Sequence, residues 1–172
     1  MKKLIGVLVF TIVIGLGQCV MAQSFKFGHI NSDELFMLMP ERDSLIAQLE
    51  EHKAELANME EIMTVEFNNK YNDYITNLET LSDLVRTTKE EELQSIQDKI
   101  ADFRQRAQQD MQQKQTELTQ PVLQKAEQAI KDVAKANGFT YIFDLARGPI
   151  IYFDDSVSID ILPLVKTKLG IE

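Results

Sequence analysis

Between Asn31 and Asn137 the chain contains no glycine, and it contains proline only at Pro40 and Pro121. Tight turns draw on glycine for left-handed backbone and on proline for a fixed φ, so a stretch this long without them is poorly suited to a domain of many reversals. It reads as long helices set between two short β-rich ends.

The apolar periodicity supports that reading. Leu45, Leu49, His52, Leu56, Met59, Met63, Phe67, Tyr71, Tyr74, Leu78 and Leu81 recur at spacings of three and four, and ten steps cover 36 residues, the period of one helical stripe. A second stripe runs through Leu93, Ile96, Ile100, Phe103, Ala107, Met111 and Leu118. Each is narrow, with Glu, Gln, Lys and Asn around the rest of the helix. Such a helix packs along a similar one, because most of its circumference needs water. Successive steps of four from Met59 to Tyr71 form a stutter that relaxes left-handed supercoiling. Between the stripes, Thr87 with Glu90, or Thr88 with Glu91, has capping-box spacing for a new helix, and Ser82 and Asp83 are turn formers. The Asn-rich segment Asn68-Asn69 to Asn72-Asp73 is the rival turn, but it would interrupt a continuing stripe. The chain is therefore expected to form an antiparallel coiled-coil hairpin over 41–118, with its tip near 82–88 and arms of about 60 Å.

Pro121 is expected to restart a helix capped by Thr119, with Val122, Ala126, Ala129, Ile130 and Val133 as its stripe and Asn137-Gly138 as its end. The period then changes. Phe139 to Leu145 and Ile150 to Phe153 are β-branched and aromatic around a turn-like Ala146-Arg147-Gly148-Pro149, and Phe25 to Ile30 is strand-like at the other end. Ile159 to Leu169 reads as a short amphipathic helix capped by Ser158 or Asp160, with Pro163 in its first turn. Strands from both ends of the chain must meet. A sheet this small is marginal alone, so 23–40 and 119–172 are expected to form a β-rich body that self-associates. The fold class is mostly α with a small β body and a long projecting hairpin.

Residues 1–22 read as a cleaved signal peptide. Lys2 and Lys3 precede an apolar run of 14 residues, Leu4 to Gly17, and Val20-Met21-Ala22 fits a cleavage site. The run is shorter than the roughly 20 residues of a membrane span. The only cysteine, Cys19, lies in this leader, where lipidation is the alternative fate, so the exported chain is expected to carry no thiol. The chain has 18 basic and 27 acidic residues, and loss of Lys2 and Lys3 leaves the remainder at −11. Glu41 to Glu92 holds 14 acids against 5 bases, whereas Leu93 to Leu118 holds 4 of each. This balance argues against nucleic acid, whose phosphates call for clustered Lys and Arg.

No catalytic, cofactor-binding or metal-binding constellation is legible. His29 lies in a strand and His52 in the seam, without the neighbours that a ligand or general base needs. Glu50-Glu51 and Glu60-Glu61 point to different helix faces and read as solubilising pairs. Arg147-Gly148-Pro149 lacks a phosphate-cradling motif.

The opening Phe27-Gly28-His29-Ile30-Asn31-Ser32-Asp33-Glu34-Leu35-Phe36 resembles the first strand and helix of the Skp/OmpH family of periplasmic chaperones. The segment Ala129 to Asp144, then Ile151-Tyr152 and Asp160-Ile161, is similar to that family's closing helix, strands and last helix. The resemblance covers nearly all of the chain after the leader. It implies a homotrimer in the periplasm, with a β-rich body and three arms around a cavity, holding unfolded outer-membrane β-barrel proteins without ATP or another cofactor. A holdase needs adaptable apolar contacts on a soluble surface. Tyr71, Tyr74, Leu84 and Val85 near the tip, with Met59 and Met63, are the residues expected to touch clients. The alternative is a non-client coiled-coil spacer or scaffold of the envelope. Two departures stand out. The family is typically basic whereas these arms are acidic, which disfavours lipopolysaccharide or anionic membrane as partners and leaves Arg104 and Arg106 as a solvated pair. The last helix opens with Asp160-Ile161-Leu162 where the family often has Asp-Ile-Thr.

Overall fold

The computed structural model describes residues 25–171. The leader at 1–22, with Cys19, lies outside the described residues. Strand β1 (Phe27–Ile30) is followed by helix α1 (Ser32–Leu38), helix α2 (Glu41–Asn77), a 3₁₀ turn (Leu78–Thr80), helix α3 (Asp83–Ala136), strands β2 (Tyr141–Asp144) and β3 (Ser158–Asp160), and helix α4 (Leu162–Leu169).

The two chain ends meet in one sheet of order β2-β1-β3, with both pairings parallel. Phe27 faces Tyr141 on one side and Ser158 on the other. Parallel neighbours need long crossovers, and the whole helical hairpin is the crossover between β1 and β2. Alternation puts Gly28 and Ile30 on the buried face and Phe27 and His29 on the other. Under the buried face, Ile30, Leu35, Ile161 and Val165 are fully enclosed and pack with Val122, Ala126, Ala129 and Val133 of α3. Full burial of each Leu, Ile or Val contributes about 1.5–3 kcal/mol. This cluster roots the arm.

Local signals close the elements. Asn31 caps α1, its Oδ1 accepting from the Asp33 and Glu34 amides at 3.1 Å. Gly138 and Gly170 end α3 and α4 at φ of 69° and 71°, a left-handed conformation that side-chain-bearing residues avoid. Asp144 joins β2 to α1 by accepting from the Ser32 and Ala146 amides at 3.1 and 3.0 Å. Burial pushes the Asp144 carboxyl up, but these bonds outweigh it and hold it below the usual range.

Helices α2 and α3 run antiparallel along the two stripes. Across the seam Arg104 Nε pairs with Glu60 and Lys89 with Asp73, each at 2.7 Å, His52 Nε2 meets Asp110 at 2.5 Å, and Lys70 pairs with Glu92 and Lys125 with Glu41. Each move toward the tip on α2 is matched by a similar move on α3, as one fixed antiparallel register requires. Leu93, Ile96 and Ile100 are buried in the seam. Paired Asp73, Glu92 and Glu41 carboxyls are held low by hydrogen bonds from Lys89, Lys70 and Lys125 respectively.

Three sequence expectations need correction. Helix α3 starts at Asp83 behind Ser82, not at a Thr87 or Thr88 capping box; both threonine hydroxyls instead donate back to the Asp83 and Leu84 carbonyls, at 3.1 and 3.0 Å. The earlier start brings Arg86 Nη2 within 3.3 Å of the Leu78 carbonyl, which serves an open end of α2. Pro121 does not restart a helix, since α3 runs through it unbroken. The ring removes the amide aimed at Glu117 and crowds that carbonyl, but Val122, Ala126, Ala129 and Val133 continue the stripe into the core, and their burial offsets the cost. Finally, Ile150–Phe153 is irregular, and the third strand is Ser158–Asp160, where a helix start was expected. The Asp160 carboxylate accepts from the Leu162 amide at 2.9 Å, and α4 begins there with Pro163 in its first turn.

Candidate functional site

The arm presents two kinds of apolar residue, those inside the seam and those left in water. Tyr74 belongs to the first. It is buried, and its hydroxyl donates to Glu90 at 2.5 Å, a bond that raises its pKa above the usual tyrosine range. Met63 is half-buried in the same seam. Tyr71 stacks on Phe67 with ring centroids 6.0 Å apart and stays about half exposed. Met59 is 55% exposed. Leu84 and Val85, in the first turn of α3 beside the reversal, are exposed at 79% and 42%. Thus the structure brings Leu84 and Val85 together at the tip, with Tyr71 lower on the arm, and it places Tyr74 and Met63 between the helices.

Sequence reasoning missed Ile62 and Val65, which are 61% and 49% exposed, and Ile75 at 48%. Their signal was available. Each is a β-branched residue off the three-and-four stripe, on circumference that otherwise carries Glu and Asn. An exposed apolar side chain singly is ordinary, but Met59, Ile62 and Val65 follow at successive steps of three along one flank of α2.

The outer face of the sheet is the second apolar surface. Phe27 stacks at 6.2 Å with Tyr141, at 6.3 Å with Phe143 and at 6.5 Å with Phe25. Phe25 and Tyr141 are largely exposed, as are Ile151 and Tyr152 in the loop before β3. His29 lies against Phe153 with centroids 4.4 Å apart, and its Nδ1 is 2.9 Å from Ser158 Oγ. It serves as a packed, hydrogen-bonded strand residue. His52 spends its ring nitrogens on Asp110 and Glu55 within the arm. Among the described residues no group of three or more His, Cys, Asp or Glu side chains could hold a metal, and no helix is long and apolar enough to cross a membrane.

A hairpin of two long helices, rooted in a sheet made by both chain ends and carrying apolar side chains into solvent, defines a projecting-arm protein. Residues 26–169 match the family described as Outer membrane protein (OmpH-like). The chain belongs to that family. A protein named Chaperone protein Skp, from Photorhabdus laumondii subsp. laumondii, is 26% identical over 144 residues, covering 84% of this chain and 87% of that protein. A crystal structure of an OmpH-like protein from Caulobacter crescentus superposes with a TM-score of 0.70 at 14% identity, over 84% of this chain and 83% of that one. That likeness speaks to the fold.

Proposed function

We propose that this chain is an ATP-independent periplasmic holdase chaperone, which binds unfolded outer-membrane β-barrel proteins in the space between coiled-coil arms. The observation that carries the reading is the exposure of Leu84, Val85, Met59 and Ile62 on an arm whose surface is mostly polar and charged. A rigid spacer has no need of apolar side chains in water, whereas a holdase gains many weak, releasable contacts from them. The relative named as a chaperone over most of both chains supports the same conclusion.

In this reading 1–22 is a signal peptide removed on export, 41–118 is the arm, and 23–40 with 119–172 is an oligomerisation body. Copies assemble, as a homotrimer, over the outer face of the sheet. That face exposes Phe25 and Tyr141, and the outer edges of β2 and β3 have no strand neighbour among the described residues.

The test dilutes a urea-unfolded β-barrel protein into buffer with stoichiometric mature protein and no nucleotide. Light scattering is expected to fall by most of its amplitude, with native mass reporting three copies. An intact oligomer that leaves aggregation unchanged across several such clients would assign the chain to the alternative, a coiled-coil spacer or scaffold.

A further inference from the structure

We infer that the outward flank of α2 around Ile62 and Val65 is a docking surface for extended polypeptide segments that mix apolar residues with Lys or Arg. This inference rests on the holdase reading and assigns its client chemistry. Seam residues Leu56, Met63 and Phe67 face α3, and at 100° per residue Ile62 and Val65 project from the other side of the helix. With Met59 they make an apolar strip exposed at 55%, 61% and 49%. Spacings of four and seven set Glu55, Glu61 and Glu66 around it on the same side. Glu61 and Glu66 have no ion-pair partner among the described residues, and most of the arm's cations are engaged elsewhere. Lys70, Lys89 and Arg104 cross to α3 or α2, Lys53 lies toward Glu50, and Arg106 pairs with Asp102.

Residues 41–118 hold 18 acids and 9 bases, so the strip sits on a net acidic arm. The apolar centre accepts the hydrophobic residues of an unfolded strand. Its carboxylate surround then discriminates by charge, drawing in ammonium and guanidinium groups and repelling acidic segments. Such an arrangement selects among equally apolar segments by the residues between the apolar ones.

The experiment uses the full mature oligomer and two labelled peptides with the same alternating Val, Leu and Tyr pattern, one with Lys and Arg between them and one with Glu and Asp. Anisotropy at low salt is expected to give about tenfold tighter binding of the cationic peptide, with the ratio falling toward one in 0.5 M NaCl as exposed charges are screened. Ile62→Ser with Val65→Ser is expected to weaken the cationic peptide about tenfold, and Glu61→Lys with Glu66→Lys to abolish or invert the preference. Circular dichroism and native mass establish that each variant keeps its helices and its assembly. Equal binding of the two peptides, tighter binding of the anionic one, or indifference to Ile62→Ser with Val65→Ser overturns the inference. If a β-barrel client is held soluble with no charge preference, this inference falls and the holdase reading stands. If the cationic peptide docks at the strip while no client is held soluble, the holdase reading falls and the docking surface stands.

Discussion

Gly28 sits where the sheet meets the core, and adding one carbon there tests the packing described above. A Cβ at this position would lie 2.8 Å from Ile142 Cδ1, 3.0 Å from Phe139 Cε1 and 3.1 Å from Ile161 Cγ2. Ile142 Cδ1 is a chain end packed against the core, so it moves aside only by giving up contacts there. Ile161 is fully buried and branched at Cβ, so its Cγ2 yields only if the side chain leaves its preferred rotamer. Overpacking of this kind costs about 1–3 kcal/mol. Replacing glycine also removes freedom from the unfolded chain, which returns about 0.4–1 kcal/mol. Gly28→Ala should therefore destabilise by about 0.5–2 kcal/mol, a midpoint drop of about 1–8 °C for a chain of this size. Thermal melts at fixed protomer concentration measure it, since assembly makes the midpoint concentration-dependent. A double-mutant cycle with Ile142→Val sharpens the test. That substitution alone should cost about 0.5–1.5 kcal/mol. By deleting Cδ1, however, it relieves the clash, so the pair should lose less than the sum by about 0.5 kcal/mol or more. A raised midpoint for Gly28→Ala, or strict additivity in the cycle, would refute the packing argument.

Leu35→Ala empties a fully enclosed site and should cost about 2–5 kcal/mol in chemical denaturation, with the loss shared by β1 and α4 because Leu35 lies in their common cluster. Pro121→Ala restores an amide that can reach the Glu117 carbonyl, and amide exchange around residues 117–125 should slow; unchanged or faster exchange there would contradict a continuous α3. Asp73, Glu92, Glu41 and Asp144 all have lowered carboxyl pKa values in the fold, so their contribution is present above the ordinary carboxylate range and is lost as pH falls through and below about 4. The melting midpoint should accordingly fall on acidification below that range, and Asp144→Asn should reduce the fall. Tyr74 is shifted upward, so its contribution is full below the usual tyrosine value of about 10 and disappears as pH rises through the folded value; Tyr74→Phe should flatten the alkaline limb of the stability curve.

Much of the arm was legible because its physics is local. A seam such as Leu45-Leu49-His52-Leu56 is fixed by helix period alone, and its partner stripe from Leu93 onward by the same rule. Errors arose where local signals compete with tertiary ones. Thr87 and Thr88 offered good caps, but the Arg86 bond to Leu78 and the packing of α3 favour a start one turn earlier. Pro121 is a strong breaker in isolation, yet four apolar positions beyond it are required by the core. Ile150–Phe153 has the composition of a strand, whereas Ser158–Asp160 has the neighbour, β1, that makes one. The same division explains the candidate site. Tyr74 and Met63 lie on the seam stripe and pack between the helices, whereas Leu84 and Met59 stand in solvent. Ile62 and Val65 lie off the stripe, so the sequence shows them as apolar residues on a polar circumference, and the packed face shows that they share one exposed flank.

The insertion of the entire hairpin between β1 and β2 has a consequence for how the chain is made. Phe27 pairs with Tyr141 and Ser158, so β1 has neither neighbour until more than a hundred further residues of chain are free to fold. The arm, whose contacts are near in sequence at the tip, can zip from Leu78–Thr80 backward during that interval. As the zipper reaches its root it carries the two extremities to one place, so closing the base becomes the last and least entropically demanding event of maturation.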